Sequence, residues 1–132
     1  MDGLHADVAP GGRSYQLAFR DGDVEVWFIS WPRDTSIEMH DHDNSSGALA
    51  VLDGSLTETR AVPGSVHRRV LGTRNCASFP PGYIHDISNP LPIRAMSVHA
   101  YSPPIEQMTF YAVEAGIPVP VRTETVLEGV PA

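Results

Sequence analysis

An all-β chain, folded as a small antiparallel sandwich or barrel of the jelly-roll kind, is what the sequence predicts, and three observations carry that expectation. Twelve prolines and eleven glycines recur from end to end and cut the 132 residues into short pieces, which leaves little room for long helices. Between the breaks lie runs of strand length rich in β-branched and aromatic residues: VEVWFISW, GALAVLDGSLTETRAV, HRRVLG, RAMSVHAYS, MTFYAVEAG and VPVRTETV. Several alternate with period two. In RAMSVHAYS, Ala95, Ser97, His99 and Tyr101 share one face, while Arg94, Met96, Val98 and Ala100 share the other. Many short strands separated by turn signals pack as antiparallel layers.

Taken in order, residues 1–12 read as a flexible N-terminal arm and residues 13–132 as a single domain, with the first dozen residues and the tail LEGVPA frayed or serving as covering arms. The Asp-Gly of LDGSL reads as a tight hairpin. FPPGYIH reads as a turn leading into a strand, because paired prolines break a ladder. No repeat or low-complexity tract interrupts the chain.

A chain of 132 residues is long enough to bury a core and short for two domains. The net charge of −7 and pI near 5.2 argue against nucleic acid or an anionic membrane as partner, since neutralising phosphates requires clustered basic residues. The single cysteine, Cys76, excludes an intrachain disulfide framework and fits a reducing cytoplasm; its simplest role is that of a small buried hydrophobe. Nothing resembles a signal peptide or a membrane-spanning helix, so a soluble cytoplasmic protein is expected.

The residues that carry chemistry begin with MHDHD. On an extended strand His40 and His42 would project from one face with Cα atoms roughly 6.5–7 Å apart, a distance one metal ion can bridge. Alone, the triplet reads equally well as a solvated strand end. A third histidine, His85, follows PPGY and precedes DISN in a plausible partner strand. His5 and His67 read as solvated surface residues, and Glu38, on the alternating face of His40, as an outer-shell or solvent-facing neighbour.

HDH followed some forty residues later by PPGYIHDISN resembles the two signature motifs of the cupin superfamily, a double-stranded β-helix. The usual first motif adds a glutamate where this chain has DNSSG. Three-histidine cupins without that glutamate resemble the cysteine dioxygenase family of thiol dioxygenases. ISWPRDTSIEMHDH and SVHAYSPP are similar to two further segments of that family, so the resemblance runs from about Tyr15 to Tyr111.

The resemblance implies a ferrous ion held by His40, His42 and His85. Three neutral imidazoles leave the ion its full double charge and three open facial positions, which favours an anionic thiolate and lowers the thiol pKa. Dioxygen has room beside the sulfur, and the expected product is a sulfinate. The resemblance further implies a hydrogen-bonded row of Ser97, His99 and Tyr101 that reaches the metal; the residues alone read as a self-satisfied buried ladder. Acid is expected to release the metal, because protons compete for the imidazole nitrogens.

The chain departs from the family in three places. Some members carry a cysteine, after HDH, that crosslinks to the tyrosine equivalent to Tyr101; here the residue is Gly47. Members that use cysteine hold its carboxylate with an arginine two residues after a tyrosine. Tyr15 matches that tyrosine, but Leu17 stands in the arginine position, with Arg13 and Gln16 the nearest replacements for substrate binding. A glutamine there resembles the mercaptopropionate-type branch. Finally, Arg74-Asn75 stands where Gly-Asp commonly turns the chain.

The expected function is oxidation of a small carboxylated thiol, cysteine or 3-mercaptopropionate-like, by O2. Two alternatives stand beside it: a three-histidine site using another metal for hydrolysis or a different oxygenation, and a non-catalytic small-molecule-binding module. Monomer and homodimer are both compatible with the sequence.

Overall fold

The computed structural model describes residues 6–8 and 12–126. Twelve strands follow one another: β1 (Ala6–Val8), β2 (Ser14–Arg20), β3 (Glu25–Trp31), β4 (Thr35–His40), β5 (Ser46–Asp53), β6 (Ser55–Val62), β7 (Ser65–Gly72), β8 (Cys76–Phe79), β9 (His85–Asn89), β10 (Ala95–Ser102), β11 (Gln107–Glu114) and β12 (Ile117–Thr125). No helix forms among the described residues, so none is long and apolar enough to cross a membrane. The strands make two six-stranded sheets, in the orders β1-β2-β3-β10-β5-β8 and β12-β11-β4-β9-β6-β7. This is the all-β, double-stranded β-helix architecture that the alternation and turn signals predict.

Alternation builds the core between the sheets. Every second residue of β3 (Trp27, Ile29, Trp31) and of β5 (Leu49, Val51) is buried, and Leu56, Ile87, Met108 and Phe110 meet them from the opposite layer. Strand β10 lies between β3 and β5. Its register sets Ser97 against Ile29 and Val51, His99 against Trp27 and Leu49, and Tyr101 against Glu25 and Gly47. A polar row therefore runs through the middle of an apolar layer. Burying such groups is expensive unless each finds a hydrogen bond, so the row marks chemistry or a satisfied network.

Three local expectations differ from the fold. The Asp-Gly of LDGSL does not close a hairpin: β5 belongs to the first sheet and β6 to the second, and Gly54 bends the chain from one to the other. Its φ of +75° is the left-handed conformation that the dipeptide signals, and a Cβ there would come within 2.8 Å of the Arg94 carbonyl, so the same glycine preference serves a bend between sheets. Glu38 does not share a face with His40, because a bulge between Ile37 and His40 breaks the alternation and turns Glu38 to solvent. Cys76 is exposed, since the pleat of β8 gives the interior to Ala77 and Phe79. Within the expected N-terminal arm, Ala6–Val8 pairs with β2 as an edge strand; His5 and the LEGVPA tail lie outside the described residues.

The turn at Arg74-Asn75 is made without glycine. Arg74 takes a φ of +73°, and the Asn75 carboxamide accepts a 2.7 Å hydrogen bond from the Gly72 amide. Asparagine chemistry supports the turn that a glycine would otherwise make easy.

Candidate metal centre

His40 closes β4, His85 opens β9, and the two are register partners in neighbouring strands of the second sheet. His42 lies beyond the end of β4, so it reaches the same point through a turn and not as the next inward residue of one strand. The intervening Asp41 explains the turn. Its carboxylate accepts hydrogen bonds from Tyr111 Oη at 2.6 Å, from the Thr109 amide at 3.3 Å and from the Asp43 amide at 3.1 Å, all on the β11 side or within its own loop. With Asp41 drawn that way, the flanking imidazoles converge: His40 Nε2 and His42 Nε2 lie 3.1 Å apart. All three rings are buried, and one nitrogen from each lies within 4.8 Å of the others.

The ring protonation suits a cation. His40 Nδ1 is 2.6 Å from the Glu38 carbonyl oxygen, which only accepts, so the proton is on Nδ1 and the Nε2 lone pair faces inward. His85 Nδ1 donates to the Glu58 carboxylate at 2.9 Å, and its buried Nε2 has no hydrogen-bond partner among the described residues. A buried nitrogen lone pair aimed at two other imidazoles is the arrangement a metal ion satisfies. The group contains imidazoles only, with no carboxylate among them. Such donors suit zinc, copper, nickel or ferrous iron better than magnesium or calcium.

Glu58 is the residue that the sequence reading missed. It is fully buried, and it also receives Arg69 Nε at 2.6 Å and the Tyr83 hydroxyl at 3.2 Å. Burial alone would raise its pKa, but the hydrogen bonds from His85 and Arg69 outweigh that and hold it below the ordinary glutamate range. The signal was present in SLTETRAV, where alternation from Leu56 puts Glu58 on the interior face.

Beside the trio, the expected row is present and continues one residue further. Trp31 Nε1 donates to Ser97 Oγ at 2.9 Å, Ser97 Oγ is 2.7 Å from His99 Nε2, and His99 Nδ1 is 3.2 Å from Tyr101 Oη. The indole can only donate and takes one lone pair of Ser97; with His99 protonated on Nδ1, Ser97 donates to Nε2 and His99 to Tyr101, and with it protonated on Nε2 both bonds reverse. The Nδ1-protonated form aims the Tyr101 hydroxyl hydrogen away from His99. The tyrosine ring is 4.9 Å from the His42 ring. Burial, followed by the nearby His85, Arg13 and His40, lowers His99 to about 3, so the imidazole is neutral as the relay requires. Burial, with Glu25 adding to it, raises Tyr101 well above its usual value and keeps it protonated.

Gly47 faces Tyr101 across the strands, the position where a crosslinking cysteine would sit. The space is filled: a Cβ on Gly47 would clash with the Phe79 ring. Phe79 stacks on His42 at 5.2 Å and on Tyr83 at 5.4 Å, so it cannot retreat freely. We expect Gly47→Ala to destabilise the fold by about 1–3 kcal/mol through overpacking. Urea unfolding measures this; an unchanged midpoint would mean that the ring is not seated there.

Of the residues expected to bind substrate, the structure brings Arg13 and Tyr15 to the interior and leaves Gln16 outside. Gln16 pairs with Phe28 on the outer face of the first sheet, whereas Tyr15 pairs with Ile29 and packs edge-on against Trp27 at 5.6 Å. Arg13 is buried with its guanidinium 5.2 Å from the Trp31 ring centroid. It lines a pocket of about 350 Å³ together with Ile37, Met108 and Phe110, and the Phe110 ring lies 6.0 Å from that of His40. Arg122 stands at the same pocket, held by Glu38 at 2.6 Å and stacked over Phe110 at 4.2 Å. Leu17 packs inward against the core, and His67 lies on the surface.

Two antiparallel sheets enclosing an inward histidine trio define a cupin. The fold recurs in an uncharacterized double-stranded β-helix protein from Klebsiella pneumoniae, 20% identical with a TM-score of 0.62, the match covering 74% of this chain and 82% of that one. It recurs in an RmlC-like cupin from Shewanella frigidimarina, 16% identical at a TM-score of 0.65, over 77% and 86% of the two chains. An oxalate oxidase solved with the substrate analogue glycolate matches at 16% identity and a TM-score of 0.63, over 77% of this chain and 56% of its own. The family is given by the sequence itself: residues 5–114 match the model of cysteine dioxygenase type I, and the chain belongs to that family.

Proposed function

We propose that this protein is an iron-dependent thiol dioxygenase that converts a small carboxylated thiol to its sulfinate. The observation that carries the reading is the buried all-imidazole trio lying against a Trp31–Ser97–His99–Tyr101 row, within a chain of the cysteine dioxygenase family. The overall change takes a thiolate and O2 to a sulfinate: sulfur loses four electrons, dioxygen gains them, both oxygen atoms are retained, and the thiol proton is released. When bound by His40, His42 and His85, ferrous iron would supply the one-electron chemistry that lets dioxygen react with a thiolate.

The chain's own residues would supply orientation. Arg13, the one buried guanidinium among the described residues, would receive the substrate carboxylate by paired hydrogen bonds, with Trp31 beside it at 5.2 Å and Tyr15 also on the interior side. Ile37, Met108 and Phe110 would wall the pocket against water. Tyr101, kept protonated by burial, would donate to the developing charge on oxygen or sulfur, and His99 would hold its hydroxyl in that orientation. A reducing cytoplasm would keep the substrate as a free thiol.

The experiment is oxygen uptake by ferrous-loaded protein with a panel of thiols, matched in length, with and without a carboxylate. We expect uptake with carboxylated thiols, a sulfinate product, and weak or no uptake with the uncharged partners. Equal rates across the panel would remove Arg13 from substrate binding, and no uptake with any thiol would sink the reading.

A further inference from the structure

We propose that Glu58 is a positioning residue for the metal: it fixes His85 with its Nε2 lone pair toward the centre and supplies, one hydrogen bond away, the negative charge that the ligand set omits. The proposal rests on the metal-binding reading of the histidine trio. Three observations carry it. The carboxylate is fully buried, and His85 Nδ1 reaches it at 2.9 Å. On the other side of that ring, Nε2 is buried without a hydrogen-bond partner among the described residues. His40, in contrast, gives its Nδ1 proton to a neutral backbone carbonyl.

A carbonyl or amide would suffice to fix a tautomer, as Glu38's backbone does for His40. Here the acceptor is instead a buried carboxylate, which Arg69 and the Tyr83 hydroxyl also meet. Arg69 is 49% exposed and stands with Arg60 and His67 in an open groove of about 410 Å³, so the network reaches from solvent to the metal ligand through this one carboxylate. A carboxylate hydrogen-bonded to a ligating imidazole raises its basicity, which strengthens the bond to a cation and offsets the weak charge donation of three neutral ligands.

The test compares wild type, Glu58→Gln and Arg69→Met, prepared metal-free and titrated with zinc against a competing chelator. Glu58→Gln keeps the shape and an acceptor but loses the charge, and its zinc affinity should fall about 10–100-fold. Arg69→Met should stay within about fivefold of wild type, since a half-exposed ion pair contributes little. Unchanged affinity in Glu58→Gln, or equal losses in both variants, would overturn the proposal, the second because it marks general damage to packing. Zinc failing to bind wild type would instead overturn the metal reading itself. Should Glu58→Gln not fold, nitrogen NMR of the metal-free wild type decides: His85 protonated on Nδ1 supports the proposal, and protonated on Nε2 refutes it.

Discussion

The His40→Ala protein is expected to lose its metal and its activity together while keeping its fold. The three imidazoles form a near-equilateral triangle, with His40 4.8 Å from the His42 ring, 4.9 Å from the His85 ring and those two 5.3 Å apart, so its removal takes away one corner of the cage. Loss of an outer hydrogen-bonding partner alone weakens metal binding by about 10–100-fold, and removing a ligand should exceed that. The fold should survive for a reason particular to this site: without metal, the trio is a crowd of polar rings in a buried space, and deleting one relieves crowding as it opens a cavity. Metal content by elemental analysis and secondary structure by circular dichroism separate the two effects. A full complement of tightly bound iron in His40→Ala would count heavily against the site.

The second large effect is expected from Tyr101→Phe: turnover falls by about 100-fold with the metal retained, the scale for losing one preorganised donor at a reacting centre. The ring still packs against His42 and Phe79, so the pocket keeps its shape. What disappears is the hydroxyl at the end of the Trp31–Ser97–His99 row. Stability should drop by about 1–3 kcal/mol as well, because the buried His99 Nδ1 loses its Tyr101 partner. Measuring turnover and iron content on the same sample decides the matter, and unchanged turnover would remove Tyr101 from the mechanism.

How far the molecule was legible from its residues depended on whether a signal was local. The strands read from apolar runs, β3, β5, β6, β7, β10, β11 and β12, formed close to where their periodicity put them. Strands β2 and β8 did not stand out, since SYQLAFR and CASF are short or rich in polar residues, and β4 and β9 were read as strands only from the histidines and the FPPGYIH turn. What makes them strands is pairing with neighbours distant in the chain, and pairing leaves no local trace. The Asp-Gly at Gly54 shows the same limit, because the dipeptide announced a left-handed φ correctly but not which sheet the next strand would join.

The sequence by itself determined an all-β chain, because period-two alternation is a property of residues and their spacing, and its motifs pointed to the three histidines and the Ser-His-Tyr row through their resemblance to the cysteine dioxygenase family. Only the tertiary structure decided that His42 arrives through a turn pinned by Asp41, that Glu38 faces solvent, that Arg13 and not Gln16 reaches the interior, and that Glu58 grips His85. Each of those depends on a bulge, a register or an approach between strands far apart in sequence, and such contacts exist only once the two sheets have closed on each other.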